Sequence, residues 1–184
     1  MLIDAKCQKC PARKLRTAEQ VKKIEKWYDM FLSELAFINP INVILLGESF
    51  PKDRYFYDSE SNYGSSGLMF NLKNEFGLKT NTEMIMKFRE LGVVVYDCAY
   101  CPVHLLEKKT EQRHAATFCL KNYKRHFLHL NTYPIITFFP AKRGFLKSEL
   151  PEIASRIIAE YQFSRLIGIR EAIKKKVYES KTCD

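Results

Sequence analysis

The stretch that decides the fold is Val43-Ile44-Leu45-Leu46-Gly47, four consecutive aliphatic residues followed by a glycine. A continuous apolar run without polar residues at alternate positions is typical of a parallel β-strand that is covered on both faces. Residues 92–96 and 134–139 form two further runs of the same character. The sequence therefore predicts a short parallel sheet built from these three segments.

Helical patterns separate the apolar runs. Apolar residues recur at spacings of three and four over residues 21–35, so Thr17 is predicted to cap a helix that ends near Phe37, before Asn39-Pro40. A second helical pattern covers residues 116–130, ahead of the third strand. Because strands joined through helices form right-handed crossovers, we predict a three-layer α/β/α fold around a parallel sheet.

The rest of the chain completes one domain. Residues 151–176 are predicted to form a helix, a short strand-like segment over residues 161–167 and the start of a basic terminal helix. The chain has 184 residues, of which 46% are hydrophobic and 13% aromatic, and this is enough for one packed core. We expect residues 1–184 to form a single monomeric domain.

The charge of the chain indicates an anionic partner. There are 30 basic and 21 acidic residues, which gives a formal net charge of +9, so DNA or another polyanion is the predicted partner, with a merely soluble basic protein as the alternative. No segment resembles a signal peptide or a membrane span, so we expect a cytoplasmic protein with reduced thiols. The basic residues concentrate at residues 6–26, at Lys121, Lys124 and Arg125, at Lys142-Arg143, and at Lys174-Lys175-Lys176.

Four cysteines have the spacing of a metal or cluster site. Cys7 and Cys10 form a Cys-x2-Cys pair in a polar, basic segment, and Cys101 and Cys119 supply two later sulfurs. Four thiolates suit zinc or an iron-sulfur cluster. Cys98 forms a second Cys-x2-Cys with Cys101, so it could replace Cys101 as a ligand. Alternatively, the cysteines are small buried hydrophobic residues.

Two carboxylates follow two of the predicted strands. Glu48 comes directly after Gly47, and Asp97 comes directly after Tyr96. In open parallel sheets the ligand crevice lies beyond the carboxyl ends of the strands. Both side chains are therefore predicted to face one crevice, where a carboxylate could activate water or hold an amide. For Glu48 the alternative is a helix cap or a loop ion pair.

At these positions the chain resembles the uracil-DNA glycosylase superfamily, and most closely its iron-sulfur branch. Gly47-Glu48-Ser49-Phe50-Pro51 is similar to the first motif of that branch, a strand that ends in Gly-Glu-x-Pro-Gly. Asp97-x3-Cys101-Pro102 is similar to its Asn-x3-Cys-x-Pro motif. Cys7-x2-Cys10, followed by a basic segment, matches its N-terminal pair, and Cys119 stands where its fourth cysteine opens a helix. The resemblance covers residues 7–150.

The resemblance implies a cofactor and a base-binding site. Glu48 would position water, Phe56 would stack on a flipped uracil, and Asp97 would replace the asparagine that reads the base edge. Apart from the resemblance, Arg54 is predicted to contact DNA, and Lys142 and Arg143 at the end of the third strand could stabilise an anionic base or bind phosphate, with a solvated turn as the alternative. The cluster is expected to be structural, and zinc is the alternative metal. The ligands of a [4Fe-4S] cluster would be Cys7, Cys10, Cys101 and Cys119, with Cys98 as a spare.

Two departures from the family pattern bear on activity. Asparagine both donates and accepts hydrogen bonds, whereas an ionised carboxylate only accepts, so either Asp97 is protonated or the base is not uracil. The His-Pro-Ser loop that follows the fourth strand in the family has no match, since no histidine follows His129. Three functions are therefore predicted: a DNA-repair glycosylase, a binding protein that has lost hydrolysis, and an unrelated zinc-stabilised basic domain.

Overall fold

A parallel sheet of four strands forms the centre of the structure. The computed structural model describes residues 9–49, 54–60, 67–123, 132–138, 148, 151–162 and 165–182. The strands are β1 (Val43–Ser49), β2 (Val93–Ala99), β3 (Ile135–Thr137) and β4 (Ile157–Glu160). They lie in the order β2-β1-β3-β4, and all three neighbouring pairs are parallel. The predicted three-layer α/β fold with a short parallel sheet is confirmed.

The apolar run that predicted the first strand is the most deeply buried part of the sheet. The four residues from Val43 to Leu46 are all 0% exposed. Their backbone pairs with β2 from Val43 opposite Val93 to Ser49 opposite Ala99, and with β3 at Ile44, Leu45 and Leu46. A strand between two others, with its aliphatic side chains buried, is the arrangement expected for a continuous apolar segment.

Six helices are described around the sheet. The first, α1, begins as predicted, because Thr17 Oγ1 accepts a hydrogen bond of 3.1 Å from the backbone N–H of Gln20. None of the described helices combines the length and the apolar character needed to cross a membrane. The helices are α1 (Ala18–Phe37), α2 (Leu68–Phe76), α3 (Asn81–Leu91), α4 (Lys109–Tyr123), α5 (Pro151–Ala154) and α6 (Ile169–Lys181), and two 3₁₀ helices cover Pro11–Leu15 and Val103–Leu105.

The outer edge of β2 is covered by the aromatic residues that follow β1. Tyr57 Oη accepts a hydrogen bond of 2.7 Å from the backbone N–H of Val95, so this edge strand has a satisfied donor there. Tyr55 stacks on Trp27 of α1 with 5.7 Å between ring centroids. Phe56 stacks on Phe88 of α3 at 5.4 Å. These contacts connect the helix α1, the strand β2 and the helix α3.

An ion pair joins the same two helices. Arg89 donates two hydrogen bonds to the carboxylate of Glu34, at 2.7 Å from Nε and 2.6 Å from Nη2. Two parallel bonds between a guanidinium and a carboxylate fix both distance and orientation. The Arg89 guanidinium also lies 4.8 Å from the centre of the Phe37 ring. The helices α1 and α3 are therefore connected beside β2 by this ion pair as well as by the aromatic contacts.

The C-terminal elements differ from the prediction. The strand is β4 (Ile157–Glu160). In the predicted segment, residues 161–167, the Tyr161 N–H donates a hydrogen bond to the carbonyl of Thr137 in β3, and Gln162 and Arg165 form an antiparallel bridge. The aromatic and aliphatic residues of 161–167 placed the predicted strand too late in the chain. The actual strand, β4, is an edge strand of only four residues, in which Ile157 is buried and Ile158 is exposed. Short edge strands carry little periodic signal.

Two other predicted helices are present. The helix predicted from residue 151 is described over Pro151–Ala154, and α4 begins at Lys109, seven residues before the first residue of the predicted pattern. Residues 124–130, where that pattern continued, are outside the described part of the chain. The basic terminal helix is confirmed as α6.

Candidate functional site

The strand order reverses between β1 and β3. From β1 the chain continues to β2 on one side of the sheet, and from β3 it continues to β4 on the other side. Such a reversal is the point where open parallel sheets bind ligands, beyond the carboxyl ends of the strands. At this edge lie Gly47, Glu48 and Ser49 of β1, Asp97 of β2, and Phe138 after β3.

Gly47 and Asp97 are direct neighbours across β1 and β2. A Cβ atom added to Gly47 would overlap Oδ1 of Asp97 and would lie 3.2 Å from its Cγ. The carboxyl group of Asp97 therefore leans over the backbone of Gly47. Any side chain larger than hydrogen at position 47 would displace it, so the glycine is required for this placement.

Asp97 is half-buried, and burial raises the pKa of its carboxyl to about 7. Desolvation has this effect because the charged form loses more hydration than the neutral form. A neutral carboxylic acid has one donor and one acceptor side by side, as an amide does, whereas the ionised form only accepts. The hydrogen-bonding pattern of Asp97 therefore changes near neutral pH.

Tyr57 is a buried phenol at the outer edge of β2 that stays neutral. Burial raises the pKa of Tyr57, the Val95 hydrogen bond lowers it, and the charges of Glu34 and Asp97 raise it further. Because its oxygen already accepts from Val95, its own O–H remains a donor. Neither Tyr57 nor Gly47 was a predicted site residue. The aromatic run of residues 55–57 was the available signal for Tyr57, and the neighbouring strand was needed to interpret Gly47.

Glu48 lies in β1 between Gly47 and Ser49, whose partners in β2 are Asp97 and Ala99. The backbone of Glu48 therefore lies one residue beyond the partner of Asp97, and the shared crevice of the two carboxylates stays a prediction. The Glu48 side chain is outside the described part of the structure. Its water-positioning role stays a prediction.

The predicted base-stacking residue, Phe56, lies in the hydrophobic core. Phe56 is 6% exposed, with one neighbour, Phe88, stacked at 5.4 Å and another, Tyr57, at right angles at 5.1 Å. A base can stack only on an open ring face, so Phe56 would first have to leave Phe88. Its stacking role stays a prediction that this packing does not favour. Arg54 is exposed two residues earlier, and Lys142 and Arg143 fall outside the described residues.

The described cysteines lie in four places: Cys10 directly before the first 3₁₀ helix, Cys98 in β2, Cys101 shortly after β2, and Cys119 in α4. Cys10, Cys98 and Cys101 are buried and Cys119 is half-buried, while Cys7 lies outside the described residues. Arg16 Nε donates a hydrogen bond of 3.1 Å to Cys101 Sγ. No sequence signal pointed to Arg16, because its partner is 85 residues away.

The buried environment of the spare cysteine, Cys98, disfavours its thiolate form. Burial raises the pKa of Cys98, and negative charge on Asp97 and Cys119 raises it further. Cys119 lies in the C-terminal half of α4 (Lys109–Tyr123) rather than at the start of a helix, so that detail of the prediction was wrong. The described part of the chain contains no group of three or more His, Cys, Asp and Glu side chains arranged to hold a metal ion. Cys10, Cys98, Cys101 and Cys119 belong to that described part and Cys7 does not, so the four-cysteine site stays a prediction.

The basic terminal helix ends far from the crevice. Ser180, near the end of α6, donates a hydrogen bond of 2.9 Å to Asn42, directly before the amino end of β1. Several of its lysines are also near carboxylates, with Lys174 at 3.8 Å from Glu171 and Lys175 at 3.9 Å from Glu179. DNA bound at the carboxyl edge would therefore contact other basic residues first.

Comparisons of this chain with models of protein families, with curated proteins and with solved structures find no match. The resemblance to the iron-sulfur glycosylases therefore stays a prediction from the motifs. Functional reasoning has to start from the residues at the sheet edge and around the cysteines.

Proposed function

We propose that this protein is a DNA glycosylase that hydrolyses the N-glycosidic bond of a damaged base, uracil or a related one. The observation that carries the proposal is the pairing of Gly47 with Asp97, which supports a site at the edge where parallel sheets bind ligands, with the segment after Gly47 as the proposed first motif and Asp97 as the proposed base-reading residue. The proposal also rests on the order of the four cysteines in the sequence.

In this mechanism Glu48 acts on water and Asp97 acts on the base. Glu48 would accept a proton from the water that attacks the sugar carbon, while the base leaves with the bonding electrons. Asp97 in its neutral form would donate one hydrogen bond and accept another at the base edge, as the family's asparagine does. Burial of the Asp97 carboxyl, which raises its pKa to about 7, supports the neutral form.

Four cysteine thiolates are a donor set that suits zinc or an iron-sulfur cluster. Cys10 and Cys101 are buried, and the N-terminal segment that contains Cys10 packs on α4, which contains Cys119. We propose Cys7, Cys10, Cys101 and Cys119 as ligands of a [4Fe-4S] cluster, with zinc as the alternative metal. The bound group would join the N-terminal segment to the domain, since the reaction requires no change of redox state.

DNA would bind through its phosphates. Arg54 is exposed, and we propose that Arg54, Lys142, Arg143 and the basic residues 6–16 contact the backbone on either side of the crevice. We also propose that the protein is cytoplasmic. We propose that it acts as a monomer, because a monomer exposes one site to one flipped nucleotide.

The test is a cleavage assay with matched variants. Anaerobically purified protein is incubated with labelled single- and double-stranded oligonucleotides that contain uracil, hypoxanthine or an oxidised base, and abasic sites are then cleaved with alkali. Glu48→Gln should lower the rate by about 100-fold or more, whereas Glu60→Gln, an exposed control, should leave it unchanged. An equal rate for both variants would contradict the role of Glu48.

A second candidate, DNA binding without hydrolysis, is favoured by the missing His-Pro-Ser loop and by the core position of Phe56. Binding to an uncleaved oligonucleotide should then weaken by about 0.7 to 0.9 log units per contacted phosphate for each tenfold rise in salt. Salt-sensitive binding without cleavage would support this candidate. The absence of binding at low salt would contradict both nucleic-acid functions and leave the zinc-stabilised basic domain.

A further inference from the structure

The contact between Arg16 and Cys101 links the N-terminal segment to the loop after β2. Arg16 Nε donates to Cys101 Sγ at 3.1 Å, and the two residues are 85 positions apart. Cys101 is 7% exposed, so the hydrogen bond lies in a partly dehydrated region. A charged donor in such a region forms a stronger bond than it would in water.

The backbone around Arg16 is held on both sides. Its own N–H donates to the carbonyl of Arg13 at 3.1 Å, which closes the first 3₁₀ helix. The next residue, Thr17, caps α1. That 3₁₀ helix packs on α4 and on the second 3₁₀ helix, and the Lys14 ammonium lies 3.4 Å from the Glu111 carboxylate of α4. Arg16 therefore starts from a fixed position rather than from a loose N-terminal arm.

We propose that Arg16 is a positioning residue of the cysteine site, and that its guanidinium orients the Cys101 sulfur for metal binding and offsets part of the thiolate charge. The inference rests on the proposed cysteine site, and it does not depend on glycosylase activity. Groups that hydrogen-bond to metal ligands orient those ligands and adjust the affinity and the reduction potential of the metal centre.

A lysine could not substitute fully for Arg16. The planar guanidinium presents Nε at a fixed angle while its other nitrogens stay available for further contacts. A lysine ammonium would keep the charge and lose this geometry. Arg16→Lys and Arg16→Gln therefore separate the contribution of charge from that of orientation.

The test measures metal retention. Wild type, Arg16→Gln, Arg16→Lys and the control Arg13→Gln are purified without oxygen, and iron and zinc are counted per chain. Arg13 is exposed in the same 3₁₀ helix, so the control removes an equal charge from the same segment. Release of the metal to a chelator is then followed, by absorbance at about 400 nm if the metal is clustered iron and by a zinc dye otherwise.

We expect Arg16→Gln to release metal about 10 to 100 times faster than wild type, Arg16→Lys to be intermediate, and Arg13→Gln to match wild type. If the metal is clustered iron, its reduction potential should fall in Arg16→Gln, because a donor to the sulfur stabilises the more negative reduced state. Circular dichroism of the metal-loaded variants checks that each is folded.

The outcomes separate this inference from the proposed function. Equal release rates for wild type and Arg16→Gln would overturn the role of Arg16 while leaving the cysteine site intact. A wild-type protein that binds neither iron nor zinc would overturn both the site and the role of Arg16. Loss of DNA cleavage alone, with the expected order of release rates, would contradict only the proposed catalysis and would support the inference.

Discussion

Replacing Asp97 with asparagine should change how the stability of the protein depends on pH. The carboxyl of Asp97 has a pKa of about 7 in the folded protein, against an ordinary value of 3.8. The folded state therefore holds the proton more tightly than the unfolded state. Stability from this group is fully present below pH 3.8 and declines as the pH rises, until the group is ionised in both states above about pH 7.

The size of the effect follows from the two pKa values. Each unit of pKa difference corresponds to about 1.4 kcal/mol, so ionised Asp97 destabilises the fold by at most about 4 kcal/mol. Between pH 5 and pH 8, the free energy of unfolding of the wild type should fall by about 2.5 kcal/mol because of Asp97, and Asp97→Asn should not show this fall. Asparagine has nearly the same shape as aspartic acid and does not titrate, so the substitution isolates the contribution of the Asp97 charge to stability.

The assay is urea unfolding at pH 5 and pH 8, with the free energy of unfolding extrapolated to water for each variant. Asp29→Asn is the control, because Asp29 is exposed on α1. The difference in stability between wild type and Asp97→Asn should grow from pH 5 to pH 8, and the difference between wild type and Asp29→Asn should not. A constant difference for Asp97→Asn would refute a raised pKa and with it the neutral form in the proposed mechanism.

Two further predictions concern β1 and β2. Gly47→Ala should lower the free energy of unfolding by about 1 to 3 kcal/mol, because the added Cβ overlaps the Asp97 carboxyl. The loss should be smaller in an Asp97→Ala background, and equal losses in this double-mutant cycle, measured by urea unfolding, would contradict the contact. Tyr57→Phe removes the acceptor of the Val95 N–H and should lower the free energy of unfolding by about 1 to 3 kcal/mol in the same assay. The control Tyr178→Phe, at a 71% exposed position, should leave it unchanged, and equal effects of the two variants would argue against this hydrogen bond.

The elements that could be predicted from the sequence are those determined by residues close together in the chain. The run from Val43 to Leu46 became a fully buried strand because its four side chains are apolar and nothing in the run interrupts pairing. The start of α1 was predictable because the cap, Thr17, and its partner, Gln20, are three residues apart. In both cases the information lies within a few residues of the element that forms.

Features that depend on distant contacts could not be predicted in this way. The side chain of Phe56 stacks on Phe88, which belongs to a helix 32 positions along the chain, and no local pattern distinguishes a core ring from an exposed one. The same holds for Arg16 and its sulfur partner. The fourth strand was misplaced because an edge strand pairs on one side only and needs few apolar residues.

The register of β1 and β2 links the fold to the proposed chemistry. Pairing of Val43 with Val93 requires, four residues later, that Gly47 is opposite Asp97. A slip of one residue would turn the side chains of β2 to the other face and would remove Asp97 from its place opposite Gly47. Asp97 can lean over β1 only because the residue opposite has no Cβ. Burial of the carboxyl in that position then favours the neutral acid, which has the donor and acceptor pattern of an amide. The apolar segment that decides the fold thus also decides which group is presented to a ligand at the carboxyl edge of the sheet.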